Sequence, residues 1–328
     1  MPKLVSIITP CYNGEKYLDK YFNSILAQTY PAIELIFIND GSTDNTEAIA
    51  LDYGKKLEAR GYRFIYIYQK NAGQSAAINQ GLNVFKGDFL NWTDSDDYLS
   101  DDSVEKRVLL LEDNPEAGLI IGRTILVDDV NYRQIGVLEE LQSHEATARD
   151  MIEDYLKGAF INPCCSTMVR TSLFKEAMNR HLQIEEVREI GQNYQLFIPV
   201  LFYCPVIFTP DILSYCVIHK DSHSHLRKTF EQRMRILDVA KDTLYSISDR
   251  INVSDNDRIW FKTKIAEYDC KKRLNVLQHY RRKDGLSELV GQLKGMGCYD
   301  SSARKLVLKI RFPFIKKAAD YFWAIKKK

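Results

Sequence analysis

The chain has 328 residues, of which 45% are hydrophobic and 27% are charged, and its formal net charge at pH 7 is +1. This composition excludes a disordered or fibrous chain and predicts one large globular domain with an extension, or two domains. The charge is unevenly distributed, because residues 301–328 carry nine Lys or Arg and one Asp, so this tail is +8 and the remainder is −7. A basic tail predicts an acidic partner.

The first hundred residues alternate between short apolar strands and amphipathic helices. The predicted strands are 4–9, 33–39, 64–68 and 89–93, and the predicted helices between them are 15–27, 46–60 and 75–84. Because these strands are apolar on both faces, we expect an α/β fold with a Rossmann-like, mostly parallel sheet flanked by helices. Ligands of such sheets bind beyond the carboxyl ends of the strands.

The acidic run at 94–97 follows the fourth strand at that edge. Asp94 and Asp96 are hard oxygen donors two residues apart, which suits Mn²⁺ or Mg²⁺ together with phosphate oxygens. The alternative is a polar turn or a helix cap before residue 104. No glycine-rich phosphate loop follows strand one, which argues against Rossmann oxidoreductases, P-loop kinases and nucleotidyltransferases.

The rest of the chain completes two predicted domains. The later predicted helices are 103–112, 146–156, 230–247, 257–280 and 286–293, and the later strands are 118–124, 133–137, 161–169 and 214–218. We expect a catalytic domain at 1–228, with a nucleotide half at 1–100 and an acceptor half at 101–228. A helical region at 229–328 follows, and its helices are candidates for pairing protomers.

Cysteine usage and hydropathy indicate the compartment. The seven cysteines have no Cys-x-x-Cys spacing, so neither a disulfide framework nor a zinc site is predicted, and the pair at 164 and 165 is expected in the core. No apolar run approaches 18 residues, and Met-Pro-Lys leads directly into a strand. We therefore expect a cytoplasmic protein.

Four sequence blocks together resemble glycosyltransferase family 2. They are Val5 to Asn13, Ile36 to Asp44, Asn71 to Gly81 and Asp94 to Asp97, in the order and spacing of that family. The resemblance implies the A-type nucleotide-sugar transferase fold (GT-A), a divalent cation and inversion at the anomeric carbon. It also implies site roles for these residues: Pro10, Tyr12 and Asn13 line the base, Asp40 hydrogen-bonds it, Asn71 and Gly73 flank the nucleotide, and Asp94, Ser95 and Asp96 meet ribose and metal. Ile78 departs from the family pattern, which often has Arg there.

The general base is the point at which the sequence departs most from this family. Many members carry a Glu-Asp pair where this chain has Gln192 and Asn193, and an amide cannot act as a general base. A displaced base, Glu189 or Glu186, is the hypothesis we favour. The alternative is that both glutamates form only a solvated face.

Two further segments carry candidate roles. The loop from His219 to His225 resembles the family's mobile segment. Its three histidines could supply a third metal ligand or a phosphate contact, and His225 is our candidate ligand. The alternative is a plain surface loop. The tail mixes basic residues with aromatic and aliphatic ones from Lys305 to Lys326, which suits an anionic membrane surface. The alternative is an amphipathic helix docked on the protein. No base-reading motif accompanies the charge, so nucleic acid is not an expected partner.

The sequence therefore predicts a metal-dependent, inverting hexosyltransferase that uses a nucleotide-sugar, a UDP-sugar, and elongates a surface polysaccharide or lipid-linked glycan at the inner membrane face. The alternative from another class is a non-catalytic nucleotide-sugar-binding subunit that supports a partner transferase.

Overall fold

The structure is a computed structural model that describes residues 1–138, 147–158, 163–188, 190, 192–219 and 228–312. The chain forms two compact units. The first consists of Met1–Leu226 with Asp249–Val253, and the second consists of Arg227–Ser248 with Ser254–Lys328.

The elements follow one another in chain order within the described residues. They are β1 (Val5–Cys11), α1 (Glu15–Leu26), β2 (Ile33–Asn39), α2 (Thr46–Ala59), β3 (Arg63–Tyr68), α3 (Gln74–Val84), β4 (Phe89–Trp92), β5 (Tyr98–Leu99), α4 (Ser103–Asp113), β6 (Leu119–Asp128), β7 (Gln134–Leu138), α5 (Ala148–Lys157), β8 (Thr167–Arg170), α6 (Thr171–Ala177), α7 (Asn193–Tyr203), β9 (Val206–Ile218), α8 (Phe230–Arg250), α9 (Asp255–Tyr280), α10 (Leu286–Gly295) and α11 (Ser301–Arg311).

The strands form one sheet in the order β3-β2-β1-β4-β8-β6-β9-β5, and β7 pairs with β6. β1 is parallel to both β2 and β4, and β2 is parallel to β3, so the first half has the parallel arrangement that the alternating pattern predicts. In the second half β8 is antiparallel to β4 and β6, whereas β9 is parallel to β6. The carboxyl ends of β1, β2 and β4 therefore meet at one edge.

Several elements differ from the sequence predictions. The strand predicted at 161–169 is shorter, since Cys164–Ser166 form a 3-10 helix and β8 spans only Thr167–Arg170. β9 begins at Val206 rather than at residue 214. Its pairing with β6 passes over the exposed Pro210 and the next residue. A stretch that looks like a loop in the sequence is therefore a strand with a bulge. α6 was not predicted, and neither was the two-residue β5, which pairs with β9. Both are too short for a periodic pattern to reveal them.

The parallel strands are held in place by close packing on both faces. On one face Phe22 of α1 packs against Phe37 of β2 and stacks on Tyr53 of α2, with ring centroids 5.2 and 4.9 Å apart. On the other face α3 approaches β1 so closely that a methyl group at Gly81 would lie 2.5 Å from Ile8 Cγ2. Burying such apolar side chains contributes about 1.5–3 kcal/mol each. This packing fixes the sheet edge at which the polar loops lie.

The second unit contains helices α9 to α11 around its own apolar cluster. Ala303, Val307 and Ile310 form the buried face of α11, and they pack against Leu274 and Leu293. Within the described residues, no helix is both long and apolar enough to cross a membrane.

Candidate active site

The loops after β1 and β2 are joined by hydrogen bonds. The Asn13 backbone N–H donates to Ser42 Oγ at 2.9 Å, and the Thr43 N–H donates to Asn13 Oδ1 at 2.8 Å. Asn13 has a positive φ of 52°, a conformation that Asn tolerates better than most residues. Tyr12 is 54% exposed beside this junction, whereas Pro10 is a buried part of β1. The ring of Tyr12 is therefore free to receive a planar ligand.

Asp40 is buried at the end of β2 and organises the loop after β3. Its Oδ1 accepts hydrogen bonds from Gln69 Nε2 at 2.6 Å and from the Ala72 N–H at 2.8 Å, and its Oδ2 accepts from the Gly73 N–H at 2.9 Å. Gly73 has φ +99°, which favours glycine. Asp40 thus sets the position of Asn71 and Gly73, and the predicted contact between Asp40 and a base stays a prediction.

Three carboxylates cluster where β4 ends. One oxygen from each of Asp94, Asp96 and Asp97 lies within 4.8 Å of the others. Ser95 is half-buried between them, and Asp97 is buried, with its Oδ1 accepting from the Val217 N–H at 2.9 Å. The sequence predicted Asp94 and Asp96 as the acidic pair, and the fold adds Asp97.

Burial and mutual repulsion make this cluster costly as a set of free anions. Burial, and then the charge of Asp96, raise the pKa of Asp94 to about 7. Burial followed by the charges of Asp96 and Asp94 holds the pKa of Asp97 well above its usual range. Hard oxygen donors that repel one another in one place are a donor set that fits Mg²⁺ or Mn²⁺. The residues present therefore fit a divalent cation.

Two contacts of the cluster were not predicted from the sequence. Gln74 Nε2, from the first residue of α3, donates to Asp94 Oδ1 at 2.6 Å, and His219 Nε2 lies 2.9 Å from Asp96 Oδ2. The hydrogen bond with Asp96 raises the pKa of the His219 ring above its ordinary value. In the sequence these residues are marked only by their places, Gln74 directly after Gly73 and His219 directly after β9. Both are far along the chain from Asp94 and Asp96, so the sequence gave no reason to pair them.

The residues at the expected base position lie near the cluster. Cys164 Sγ donates to Asn193 Oδ1 at 2.7 Å and accepts from Gln192 Nε2 at 3.4 Å. Burial, followed by the charges of Asp94 and Asp97, holds the pKa of the Cys164 thiol well above its usual value. The thiol is therefore a neutral hydrogen-bonding group, in keeping with the expected core role of Cys164 and Cys165, which are both buried.

Of the two candidates for a displaced base, the structure describes one. Glu186 is exposed, and its Oε1 lies 3.5 Å from Asn79 Nδ2 on α3. Glu189, the other candidate, lies outside the described residues, as does His225. Of the histidines from His219 to His225, the structure describes His219, which contacts the acidic cluster directly.

Comparisons with known proteins agree with this geometry. Residues 6–176 match the family model described as Glycosyl transferase family 2. An uncharacterized glycosyltransferase of Rickettsia prowazekii is 39% identical over 218 residues, which cover 66% of this chain and 64% of that protein. The chain spans between 37% and 64% of the length of the related Rickettsia proteins from R. conorii and R. typhi.

Two solved structures share the fold at low identity. Staphylococcus aureus TarS residues 1–349, in complex with UDP-GlcNAc, is 18% identical with a TM-score of 0.60, and the match covers 85% of this chain and 80% of that one. The mannosyltransferase PcManGT from Pyrobaculum calidifontis, in complex with GDP-Man and Mn²⁺, is 14% identical with a TM-score of 0.54, covering 99% and 88%. These likenesses confirm the predicted α/β architecture as the GT-A transferase fold with C-terminal helices.

Proposed function

Since this chain belongs to glycosyl transferase family 2, we propose that it transfers a hexose from a nucleotide-sugar, a UDP-sugar, to a glycan acceptor with inversion at the anomeric carbon. The observation that carries this proposal is the cluster of Asp94, Asp96 and Asp97 at the sheet edge where the loops after β1, β2 and β3 also end. TarS, bound to UDP-GlcNAc, and PcManGT, bound to GDP-Man, share the fold and support a nucleotide-sugar as the donor class.

The donor's nucleoside belongs at the joined loops. In this proposal Pro10, Tyr12 and Asn13 border the base, with the exposed ring of Tyr12 available for stacking. In this proposal Asp40 hydrogen-bonds the base and also holds the loop on which Asn71 and Gly73 flank the nucleotide.

The donor's diphosphate belongs beside the carboxylates. Asp94 and Asp96 are the proposed cation ligands, with Mn²⁺ or Mg²⁺ as the ion, and Ser95 contributes to the donor site. A bound divalent cation supplies positive charge for the diphosphate that leaves. His219 orients Asp96 through their hydrogen bond, and Gln74 does the same for Asp94. His225 remains our candidate for a further ligand.

The acceptor hydroxyl must lose a proton as it attacks. A general base can do this only if it has a basic form near neutral pH, and the Asn193 amide has none. We propose Glu189 or Glu186 as the base. Glu186 lies against α3 through Asn79.

The substitutions Glu189→Gln and Glu186→Gln separate these candidates. We expect only one of the two to lower turnover, by about 100-fold or more, while donor affinity stays unchanged, because a base acts on the acceptor rather than on the donor. Single-turnover transfer and donor titration give the two quantities. Small and equal effects in both variants would exclude both residues.

The acceptor side of the proposal concerns the second unit. We propose a polysaccharide or lipid-linked acceptor, with the chain at the cytoplasmic face of the membrane. Support comes from α11, whose exposed positions include Arg304, Lys305, Leu308 and Lys309, and from Phe312 directly after it. Leu308 and Phe312 are each 53% exposed. The helices of the second unit are also the proposed surface for pairing protomers into homo-oligomers. The rest of the predicted tail lies outside the described residues.

A calorimetric screen tests the donor class. UDP-GlcNAc, UDP-Glc, GDP-Man and UDP are titrated into the purified chain with Mn²⁺ and again with EDTA, and release of sugar is followed for any donor that binds. We expect one nucleotide-sugar to bind in the presence of Mn²⁺ and to be hydrolysed slowly or transferred. Absence of binding by every nucleotide-sugar would overturn the proposal.

The second candidate is a non-catalytic nucleotide-sugar-binding subunit for a partner transferase. The amide of Asn193 at the family's base position, held by Cys164, is the observation that favours it. Donor binding without sugar release or transfer would support this candidate. Asn193→Asp would then be expected to create activity, since a carboxylate can accept the same hydrogen bond and can also take a proton.

A further inference from the structure

The segment from Ile184 to Arg188 is attached to α3 at two points. Asn79 exchanges two hydrogen bonds with the backbone of Ile184, each 2.9 Å long, and Ser75 Oγ donates to the Val187 carbonyl at 3.3 Å. Asn79, Ser75 and Ile184 are all buried. A buried backbone group without a partner is costly, so these contacts hold the segment on α3. They thereby fix the position of Arg188 at its end.

Arg188 lies directly on the loop after β3. Its Nη2 donates to the Asn71 carbonyl at 3.1 Å, and its stem covers Gly73, where a methyl group would lie 3.3 Å from Arg188 Cγ. Gly73 is followed by Gln74, which binds Asp94. The side chain therefore lies on the predicted nucleotide loop, and the residue that follows Gly73 contacts the acidic cluster.

The guanidinium of Arg188 has no acidic partner within the described part of the chain. Among the residues that the structure describes, no carboxylate forms an ion pair with this guanidinium, and the side chain is exposed. A guanidinium has five N–H donors, of which the Asn71 carbonyl uses one. The remaining donors are available to an anion that enters over the loop.

A phosphate group suits the donors of Arg188 at this place. Planar, charge-assisted pairs with phosphate oxygens are a preferred use of Arg, since its fork of donors matches their geometry. The three carboxylates of the cluster would repel a diphosphate, so a donor needs cationic groups on the protein side of the loop as well. The family pattern often has Arg at position 78, but this chain has a buried Ile78, whose aliphatic side chain supplies no cation.

We propose that Arg188 binds a phosphate group of the nucleotide-sugar donor and that it supplies the protein's own cation at this site. The inference rests on the proposed function, because it assumes that a nucleoside diphosphate enters beside Asn71 and Gly73. The segment before α7 thus has a role in donor binding, whichever residue is the general base.

Calorimetry with UDP, GDP, uridine and guanosine, in the presence of Mn²⁺, tests the assignment on the full chain. We expect Arg188→Ala to weaken binding of the preferred diphosphate about 10- to 100-fold, the range for a hydrogen-bonded charge, and to leave binding of the matching nucleoside unchanged. Arg188→Lys should give an intermediate loss, because it keeps the charge but not the fork. Lys70→Ala is the matched control, since Lys70 is an exposed cation next to Asn71.

The possible outcomes separate the two proposals. Equal affinity of the unaltered chain and Arg188→Ala for the diphosphate would overturn the assignment alone, and so would an equal loss of nucleoside and diphosphate binding. A loss as large in Lys70→Ala would show that the general positive charge of the loop matters rather than Arg188. Failure of the unaltered chain to bind any of the nucleotides would overturn the proposed function and this inference together.

Discussion

At the scale of single residues, the acidic cluster is the feature on which the proposed function depends. Asp94 and Asp96 are each held by one polar neighbour, Gln74 and His219, whereas Asp97 is buried and bonded to the backbone of β9. The first two are oriented by side chains that could shift when a ligand binds. Asp97 is instead part of the link between β9 and the end of β4.

We predict that Asp96→Asn lowers transfer by about 100-fold or more, in the range seen when a key electrostatic group is lost from an active site. The amide keeps the size of the side chain and can still bond to His219, but it removes a negative charge that a cation needs. The measurement is sugar release from the donor that the binding screen identifies, with thermal unfolding as a check of the fold.

Asp101→Asn is the matched control for this change, because Asp101 is an exposed acid five residues along the chain. It should leave transfer within about twofold, as most exposed substitutions have small effects. Full activity of Asp96→Asn would remove this residue from the cation site.

At the scale of elements, the loops at the sheet edge depend on glycine. Gly41 has φ +73°, and a methyl group there would lie 2.6 Å from the Asn71 backbone nitrogen. The loop after β2 therefore touches the loop after β3, which Asp40 also holds. The two loops are therefore packed directly against each other.

We predict that Gly41→Ala lowers donor affinity, because the added methyl group must displace Asn71 and the loop that carries it. Gly61→Ala is the matched control: Gly61 has φ +93°, but a methyl group there meets nothing within 4 Å. Both variants should lose about 1–2 kcal/mol of stability from backbone strain. Equal donor affinities in the two variants would contradict the coupling of the two loops.

The start of α11 is a second feature at this scale. Asp300 accepts from the Ala303 N–H at 2.8 Å as the helix cap, and it forms an ion pair with Lys271 at 2.8 Å. The hydrogen bond from Lys271, followed by that from Ala303, holds the pKa of Asp300 below its usual range. A carboxyl whose pKa is lowered by folding stabilises the protein above its unfolded pKa, about 3.9, and loses that effect as the pH falls further.

We predict that Asp300→Ala costs about 1 kcal/mol at pH 7, seen as faster hydrogen exchange of the α11 amides. Asp300→Asn should lose less, since its side-chain oxygen can still cap the helix. The difference between Asp300→Asn and the unaltered chain should shrink as the pH falls below about 4, because the carboxyl of the unfolded chain then takes up a proton while the native carboxyl, whose pKa is lower, is still ionised. A difference that is constant between pH 7 and pH 3 would contradict this account.

At the scale of the whole molecule, charge is concentrated at one end of the chain. Residues 301–328 carry +8 in a chain whose total is +1. In the described part of this stretch Ala303, Val307 and Ile310 are packed in the second unit's core, whereas contact of the tail with a membrane stays a prediction. α11 is thus a docked amphipathic helix whose outer side is basic.

We predict that the full chain binds vesicles containing phosphatidylglycerol but not neutral vesicles, and that binding falls as salt is raised, because each basic residue at an anionic surface contributes about 1 kcal/mol. Lys305→Glu with Lys309→Glu should weaken co-sedimentation, whereas Lys55→Glu with Lys86→Glu, exposed lysines of the first unit, should not. Equal binding to neutral vesicles would show that the basic surface is not a lipid contact.

The sequence by itself determined the parallel half of the sheet and the acids at its edge. Buried strands leave a near-continuous apolar run, as in Ile33–Asn39, and a turn that ends such a strand must place its polar residues at the carboxyl edge. Local patterns of this kind need no knowledge of distant residues. For that reason the predicted bounds of β2 agree with the structure, and those of α2 agree to within one residue.

Only the tertiary structure decided which distant side chains meet that edge. Gln74 meets Asp94, and His219 meets Asp96 across 123 residues, while Cys164 meets Asn193. Arg188 reaches Asn71 because Asn79 and Ser75 hold its segment on α3. Such contacts depend on how strands and helices pack, since packing brings together residues whose separation along the chain carries no periodic signal.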